Sequence, residues 1–381
     1  MIIQTVFIRA FKSILELTTS IDPKISVLIG PNESGKTNIL KAMTAFNPGS
    51  EFDYSMTCQY SDSYAQKRCP EIALEFVISK AARNKLLKIS DAFKTAASFY
   101  VKKEGPQISD YKVLIDGQPV PIPDMKSLLM CLPKIAYFDE IPLIKNRVDY
   151  YSLVDGRPGF TTERNLLKIG GIDDVEVIFE DTTHGRRAAE QASRTITEQI
   201  RMVWSQEPSV EIKLSVNGKV LYIDISDKTT VLDTPESRSL GFRWYLSFCI
   251  NFLAQTRQSS TNEYIFLIDE PGIHLHPAGQ KDLVKVLENL AEKNQIIYTT
   301  HSPFMINREY PERVRLVTKG TDGTHVDSEA YRQNWKPLRK SIGLMIGDLF
   351  FFSDDSLILE LPRRKVPLTD RLRFWNKEQR S

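Results

Sequence analysis

The sequence is poor in cysteine and lacks the long apolar runs of membrane proteins. Its four cysteines form no C-x-x-C pair and are Cys58, Cys69, Cys131 and Cys249. This spacing indicates neither a disulfide framework nor a zinc site, so we expect reduced thiols. No apolar run approaches the roughly 20 residues of a membrane span, and the N-terminus lacks the basic region and apolar core of a signal peptide. We therefore expect a cytoplasmic protein with no membrane partner.

An excess of charge of one sign is also absent. The chain has 50 lysines and arginines against 48 aspartates and glutamates, a net charge of +2. This balance does not imply nucleic-acid binding, so any contact with DNA must come from a local patch. Hydrophobic content of 41% and charged content of 26% are ordinary for a soluble globular protein, and 381 residues exceed one typical domain.

The most informative stretch is glycine-rich and spans residues 30–37. It reads Gly-Pro-Asn-Glu-Ser-Gly-Lys-Thr, after an apolar run at 25–28 and before a helix-compatible run. This is the G-x-x-x-x-G-K-[ST] pattern in its required setting, with an ordinary glycine turn as the alternative. Its backbone N–H groups would face phosphate oxygens, its lysine would reach the β- and γ-phosphates, and its threonine would bind Mg²⁺. The residues predicted to bind ATP here are Gly30, Asn32, Ser34, Gly35, Lys36, Thr37 and Asn38.

An acidic pair follows a second apolar run. Residues 264–268 read Tyr-Ile-Phe-Leu-Ile, typical of a buried parallel strand, and Asp269 and Glu270 come directly after them. Beside a phosphate loop, Asp269 would join Thr37 in holding Mg²⁺, and Glu270 would activate the attacking water. The alternative is a solvated strand end, although two charges at the end of a buried strand are costly.

A histidine ends a third apolar run. Residues 295–300 predict a buried strand, and His301 stands at its carboxyl end, the edge where ligands bind in open α/β sheets. We predict that His301 meets the γ-phosphate, against the alternative of a structural histidine. His274 and His276 lie two residues apart, but a metal pair is not favoured because a third ligand is missing.

The phosphate loop, the acidic pair and the histidine follow one another in the order that is typical of ABC-type ATPase heads. Over most of residues 1–310 the sequence resembles the heads of the SMC, double-strand-break-repair and OLD ATPases. The resemblance implies an α/β fold, an ABC-type P-loop ATPase head with a mixed β-sheet and an inserted helical and β segment. It also implies ATP and Mg²⁺ as cofactors. ATP would be bound in a sandwich between two copies of the chain, in a homodimer or higher homo-oligomer.

The signature motif of such heads falls on residues 237–243. This stretch departs from the usual LSGGQ sequence but keeps Ser239 and Gly241, just before a helix predicted over 244–255. A serine hydroxyl and backbone N–H groups at a helix N-terminus suit the γ-phosphate of a partner's ATP. A plain helix cap is the alternative. No glutamine-loop residue can be assigned.

The resemblance and the local patterns divide the chain into four parts. Residues 1–79 form an N-terminal lobe with the phosphate loop, and 80–205 form an insertion, arm or dimerisation segment. Residues 206–340 form a C-terminal lobe with the signature, the acidic strand and His301. Local patterns predict helices over 80–98 and 186–204. They also predict a hairpin at 210–225, with a type I′ turn at Asn217-Gly218.

The fourth part, residues 341–381, resembles the entry of OLD proteins into a Toprim nuclease. Glu360 matches a metal-binding glutamate of that family, but Leu361-Pro362 replaces the expected glycine. We expect a vestigial or truncated Toprim-like segment, followed by a basic tail over 363–380. The tail is either an anion-binding segment or a solvated terminus.

The resemblance implies an OLD-like ABC-class ATP hydrolase. Its ATP-driven dimerisation would regulate a nucleic-acid-directed effector, a nuclease or toxin, in prokaryotic anti-phage defence. DNA is a further candidate partner. Two alternatives stay open: an SMC-like DNA repair or recombination ATPase, and a Toprim endonuclease of which this chain is the truncated ATPase part. We expect no nuclease activity from this chain alone.

Overall fold

The structure is a computed structural model that describes residues 1–180, 182–204, 208–227, 233–257 and 264–330. The Toprim-like segment, Glu360 and the basic tail lie outside the described residues. Within the described ranges, no helix has both the length and the apolar character needed to cross a bilayer.

An antiparallel sheet of six strands is built mainly from the first 120 residues. Its order is β2-β1-β4-β5-β6-β7. Buried residues alternate with half-buried or exposed ones along much of β1 and β5, as expected when one face packs on the core. The strands are β1 (Ile2–Phe11), β2 (Ile14–Ser20), β4 (Glu71–Val77), β5 (Ser98–Lys103), β6 (Tyr111–Ile115) and β7 (Gln118–Val120).

The central sheet also has six strands, in the order β15-β14-β3-β13-β12-β8. All neighbours are parallel except β14 and β15. Every residue of β3, β12 and β13 is buried, which explains the apolar runs of β3 and β12. Strand β13 also buries the polar residues Gln295, Thr299 and Thr300. The strands are β3 (Ile25–Ile29), β8 (Lys134–Phe138), β12 (Tyr264–Ile268), β13 (Gln295–Thr300), β14 (Val314–Gly320) and β15 (Gly323–Asp327).

The helices of the described residues include those that cover the two faces of the central sheet. They are α1 (Lys36–Ala45), α2 (Asp62–Ala65), α3 (Lys80–Leu86), α4 (Met125–Cys131), α5 (Tyr150–Val154), α6 (Thr161–Ile169), α7 (Glu176–Phe179), α8 (Thr183–Val203), α9 (Leu240–Arg257) and α10 (Pro277–Leu290). Successive residues of β12 belong to different cores. Phe266 packs with α6, α8, α9 and α10, whereas Ile265 and Leu267 pack with α1 and the antiparallel sheet. The central sheet therefore separates two hydrophobic cores.

A small third sheet confirms the hairpin predicted at 210–225. It contains β9 (Arg147–Asp149), β10 (Glu211–Asn217) and β11 (Val220–Ser226), in the order β10-β11-β9. The predicted type I′ turn is wrong, because Asn217 pairs with Val220 and the loop is Gly218-Lys219. Only Gly218 of this loop has a positive φ, 58°, and a type I′ turn requires two such residues.

The helix predicted over 80–98 is also wrong beyond Leu86. Ser90 adopts an extended conformation and its side chain accepts from Ala92 N, which starts a separate short turn. The guanidinium of Arg83 donates to the backbone oxygens of Phe93 and Ala96, at 2.8 and 2.9 Å, and holds this turn against α3. Strands β5 to β8 lie within the predicted insertion, yet they pair within the two six-stranded sheets. The four-part division stays a prediction.

A buried lysine holds the end of α1. Lys103 Nζ donates to the backbone oxygens of Ala45, at 2.7 Å, and Asn47, at 3.1 Å. The Tyr111 hydroxyl donates to the oxygen of Phe46 at 2.5 Å. A helix C-terminus carries a partial negative charge, so it stabilises a cation. These contacts anchor α1 at the end opposite the glycine-rich loop.

The burial of Lys103 predicts a pH dependence of stability. Burial lowers the pKa of Lys103 from 10.5 to about 8. Between these pH values the unfolded chain holds a proton that the folded chain has released, so stability rises with pH. Relative to Lys103→Met, the wild type should therefore gain free energy of unfolding from pH 8 to 10.5, as measured by denaturant titration. The exposed control Lys112→Met should follow the wild type. Parallel curves for the wild type and Lys103→Met would contradict this account.

Candidate active site

Three neighbouring strands of the central sheet bring the predicted site residues together. β3 leads into the glycine-rich loop, β12 ends before Asp269, and β13 ends before His301. The strands are parallel and lie in the order β3-β13-β12. The carboxyl ends of parallel strands share one edge of a sheet, and in open α/β sheets this edge binds ligands. The loop, the acid pair and the histidine therefore meet at one edge.

Two glycines of the loop are required by packing as well as by loop geometry. A Cβ atom on Gly30 would lie 2.0 Å from the backbone oxygen of Val317, and one on Gly35 would lie 2.1 Å from Thr324 Oγ1. Gly35 also has a φ of 102°, which favours glycine. The hairpin β14–β15 therefore packs directly against the loop, a contact that the sequence pattern does not reveal.

The buried polar groups of the loop are arranged around its interior. Lys36 is almost fully buried, and its Nζ donates to the backbone oxygens of Gly30, at 3.0 Å, and Pro31, at 2.9 Å. Ser34 Oγ is buried and has no hydrogen-bond partner among the described residues. An unpaired buried hydroxyl is costly. The loop thus carries an unused donor, as a phosphate-binding loop would.

The two asparagines predicted to bind ATP have different surroundings. Asn32 is exposed in the loop. Asn38 Nδ2 donates to Ser13 Oγ at 2.8 Å, and that hydroxyl lies 2.8 Å from Thr324 Oγ1. Asn38 therefore joins α1 to the β1–β2 turn and to β15. Its predicted contact with ATP stays a prediction.

The carboxylate of Asp269 is surrounded by hydroxyl groups. Its Oδ1 accepts from Thr37 Oγ1 at 3.1 Å and from Thr299 Oγ1 at 2.5 Å, and its Oδ2 accepts from the Tyr137 hydroxyl at 3.3 Å. Burial and the charge of Asp269 raise the pKa of Tyr137, so this hydroxyl stays a donor. The two predicted Mg²⁺ ligands, Thr37 and Asp269, are therefore in contact.

Glu270 lies between the lysine of the loop and the predicted histidine. Its Oε1 is 3.4 Å from Lys36 Nζ. Its Oε2 is 2.9 Å from His301 Nδ1 and accepts from His301 N at 3.2 Å. The predicted base and the predicted phosphate sensor are thus bonded to each other. Lys36 is 5% exposed, whereas Glu270 and His301 are 25% and 44% exposed, so the pair can be reached from solvent.

The metal-binding capacity of this edge is limited. Across the ranges that the structure describes, no three or more His, Cys, Asp or Glu side chains are grouped so that they could hold a metal ion. His274 and His276 therefore belong to no such group. Mg²⁺ commonly binds through one or two protein oxygens together with water and substrate phosphates. The Thr37–Asp269 pair fits that pattern.

The signature residues lie at the beginning of α9, which starts four residues before the predicted helix, at Leu240. Ser239 Oγ accepts from Phe242 N at 3.2 Å and so caps the helix. A Cβ atom on Gly241 would lie 3.0 Å from the backbone oxygen of His274. The signature helix therefore packs closely against the segment that follows the acid pair.

Sequence patterns missed several residues of this edge. A cavity of about 620 Å³ lies over the ends of β8 and β12 and is lined by Lys41, Tyr137, Asp139, Glu140, Ile141, Leu143, Trp244, Asp269, Glu270, Ile273 and His274. Strand β8 supplies Tyr137 to this edge, but nothing in its sequence shows that it pairs with β12.

The profile of the AAA ATPase domain family, AAA_15, matches residues 1–125 and 175–306, more than half of the chain. The chain belongs to this ATPase family. It is similar to the OLD nuclease of Thermus scotoductus, with 41% identity over 85 residues, 22% of this chain and 16% of that protein. It is also similar to the retron Vc95 probable ATPase of Vibrio cholerae, with 38% identity over 55 residues, 14% of this chain and 11% of that protein. The chain spans less than half the length of the curated relatives it matches.

A solved structure confirms the predicted fold class of this AAA_15 ATPase. The Smc head domain with an extended coiled coil, bound to the C-terminal domain of ScpA and derived from Pyrococcus furiosus, superposes with a TM-score of 0.51 and 15% identity. The match covers 89% of this chain and 99% of that one, and at this identity it shows the fold alone. The chain is therefore an AAA_15 ATPase with the α/β fold of an SMC head, and part of it is similar to an OLD nuclease.

The close packing at Gly35 predicts a cost for adding one methyl group. Gly35→Ala should lower the free energy of unfolding by about 1–3 kcal/mol more than Gly49→Ala, because its Cβ would overlap Thr324. Gly49 also has a positive φ, 76°, but a Cβ there meets nothing within 4 Å. Denaturant titration measures the difference, and adding Thr324→Ala should restore part of it. An equal loss of unfolding free energy in both glycine variants would contradict this account, because Thr324 would then move away from the added Cβ atom without cost.

Proposed function

We propose that this chain is a Mg²⁺-dependent ATP hydrolase whose ATP-bound form pairs with a second copy and regulates a nucleic-acid-directed effector. The observation that carries the proposal is the placement of Glu270 between Lys36 and His301. A carboxylate in that position can accept a proton from water beside a phosphate held by the lysine. Membership of an ATPase family supports the same chemistry.

The loop residues would bind the triphosphate of ATP. Gly30 and Gly35 allow the backbone to curve, Ser34 offers an unused buried hydroxyl, and Lys36 lies inside the loop. Because α1 starts at Lys36, its N-terminus also favours an anion at this place. Lys41, which lines the cavity beside Asp269 and Glu270, would add a positive charge.

Thr37 and Asp269 would hold Mg²⁺, which when bound neutralises charge on the phosphates. Lys36 is paired with Glu270 at 3.4 Å, so a phosphate that binds the lysine would weaken this pair. One carboxylate oxygen of Glu270 would then be available to a water molecule. The other would keep its contact with His301, which positions Glu270 and senses the γ-phosphate.

Pairing of two copies would place the signature residues against the ATP of the partner. Ser239 and Gly241 stand at the N-terminus of α9, an 18-residue helix suited to binding an anion. The neighbouring Leu240 and Ile273 are 48% and 53% exposed, and both would be covered in such a pair. We propose a homodimer as the smallest active form.

The effector would be a nuclease or toxin, and the setting prokaryotic anti-phage defence. The support comes from relatives, which include an OLD nuclease and a retron ATPase. The effector activity would belong to a separate protein.

The central test uses Glu270→Gln, which removes the proposed base without changing size. Hydrolysis should fall by about 10²–10⁴-fold, the usual contribution of a general base, while ATP binding persists. Light scattering should show a dimer in ATP for this variant and a monomer for Lys36→Ala. Glu198→Gln, on the exposed face of α8, serves as the matched control. Wild-type turnover in Glu270→Gln would remove Glu270 from this role.

A tagged pull-down from native cells tests the effector proposal. Glu270→Gln with ATP is compared with Lys36→Ala, and bound protein and nucleic acid are identified by mass spectrometry and sequencing. A nuclease or toxin retained in only one of the two states supports an ATP-gated effector. Recovery of only the chain and DNA with the ATP-bound form would favour a DNA-repair ATPase instead.

A further inference from the structure

The backbone of Glu270 has an unusual conformation. Its φ is 46°, in the left-handed region that residues with a Cβ atom seldom occupy. Such a conformation is energetically costly and persists only where the surroundings hold it. Since Glu270 is the proposed base, the group that holds its backbone also decides where its carboxylate points.

Thr299 holds the backbone of Glu270 in this conformation. Its Oγ1 accepts a hydrogen bond from Glu270 N at 2.8 Å and donates one to Asp269 Oδ1 at 2.5 Å. The side chain is fully buried on β13, where Tyr298 is in register with Ile268 of β12. A threonine hydroxyl has a single proton, and here it goes to Asp269. The direction of both bonds is therefore defined.

The other contacts of the acid pair do not join its two members. Thr37 and Tyr137 bond only to the carboxylate of Asp269 among the described contacts, at 3.1 and 3.3 Å. Thr299 bonds to both residues and stands two positions before His301, which follows directly after β13. Strand β13 thus holds the backbone of Glu270 through Thr299, and the residue that follows the strand, His301, contacts its carboxylate.

We propose that Thr299 is a positioning residue for the acid pair. It orients the carboxylate of Asp269 toward Thr37 and maintains the left-handed backbone that turns Glu270 toward His301. The role rests on the proposed function, because the acid pair matters only if Mg²⁺ and ATP bind there. Thr299 itself would contact neither Mg²⁺ nor ATP, and it acts through Asp269 and Glu270.

Replacement by valine tests this role, because valine keeps the shape of threonine and removes the hydroxyl. In Thr299→Val the Mg²⁺ concentration for half-maximal hydrolysis should rise about 10- to 100-fold, the usual cost of losing a hydrogen bond that orients a metal ligand. The affinity for a fluorescent ATP analogue in EDTA should stay unchanged. Thr299→Ser keeps the hydroxyl and should behave like the wild type.

Thr300→Val is the matched control. Thr300 is also buried on β13, but its hydroxyl accepts from Ser302 N at 3.0 Å and does not contact the acid pair. This variant should keep the wild-type Mg²⁺ dependence. If Thr299→Val does not fold, as judged by circular dichroism, Thr299→Ala is compared with Thr299→Ser in the same assays.

Two outcomes would overturn the proposal while leaving the proposed function intact. One is a Mg²⁺ dependence of Thr299→Val equal to that of the wild type. The other is an equal loss in Thr300→Val, which would indicate a general weakening of β13. A wild-type protein that binds no ATP analogue, with or without Mg²⁺, would instead remove the proposed function and this role together.

Discussion

The carboxylate of Glu270 lies between an ammonium and an imidazole, and the site depends on this contact. Lys36, Glu270 and His301 come from three separate parts of the sequence and meet only because β3, β13 and β12 are adjacent and parallel. A nearly buried lysine is costly without a partner. Here the pair offsets that cost, and the loop oxygens satisfy the remaining protons of the ammonium.

The scaffold keeps these strand ends in place from several sides. Two hydrophobic cores cover the faces of the central sheet, so its inner strands are buried along their whole length. Lys103 anchors the far end of α1, and the hairpin β14–β15 packs against the glycine-rich loop. The loop, the helix and the hairpin are therefore closely packed together. A closely packed interior transmits displacements instead of absorbing them.

Sequence reasoning found the parts of the site that local patterns carry. The glycine-rich loop, Asp269 with Glu270, and His301 each follow an apolar run, so their places at strand ends could be predicted. The family resemblance predicted the ABC-type fold. Tyr137 and Thr299 could not be found, because their roles depend on which strands lie beside β12. That order is set by long-range pairing, which no local pattern records.

The errors have local physical causes. Asn217 was assigned to a turn from the Asn-Gly pair, but strand pairing extends through it to Val220. The helix that begins at residue 80 ends at Leu86, because Ser90 starts a separate turn. The guanidinium of Arg83 then donates a hydrogen bond to the backbone of that turn. In both cases a contact between separate residues overrides a local preference.

The most direct test of the account is a crystal structure of the chain with Mg²⁺ and a non-hydrolysable ATP analogue. The account predicts a triphosphate within the loop 30–37, with Mg²⁺ about 2.1 Å from Thr37 Oγ1 and Asp269 beside it. It also predicts Glu270 released from Lys36 and facing the γ-phosphate. A nucleotide bound elsewhere, or a Glu270–Lys36 pair that survives beside bound triphosphate, would contradict the central claim.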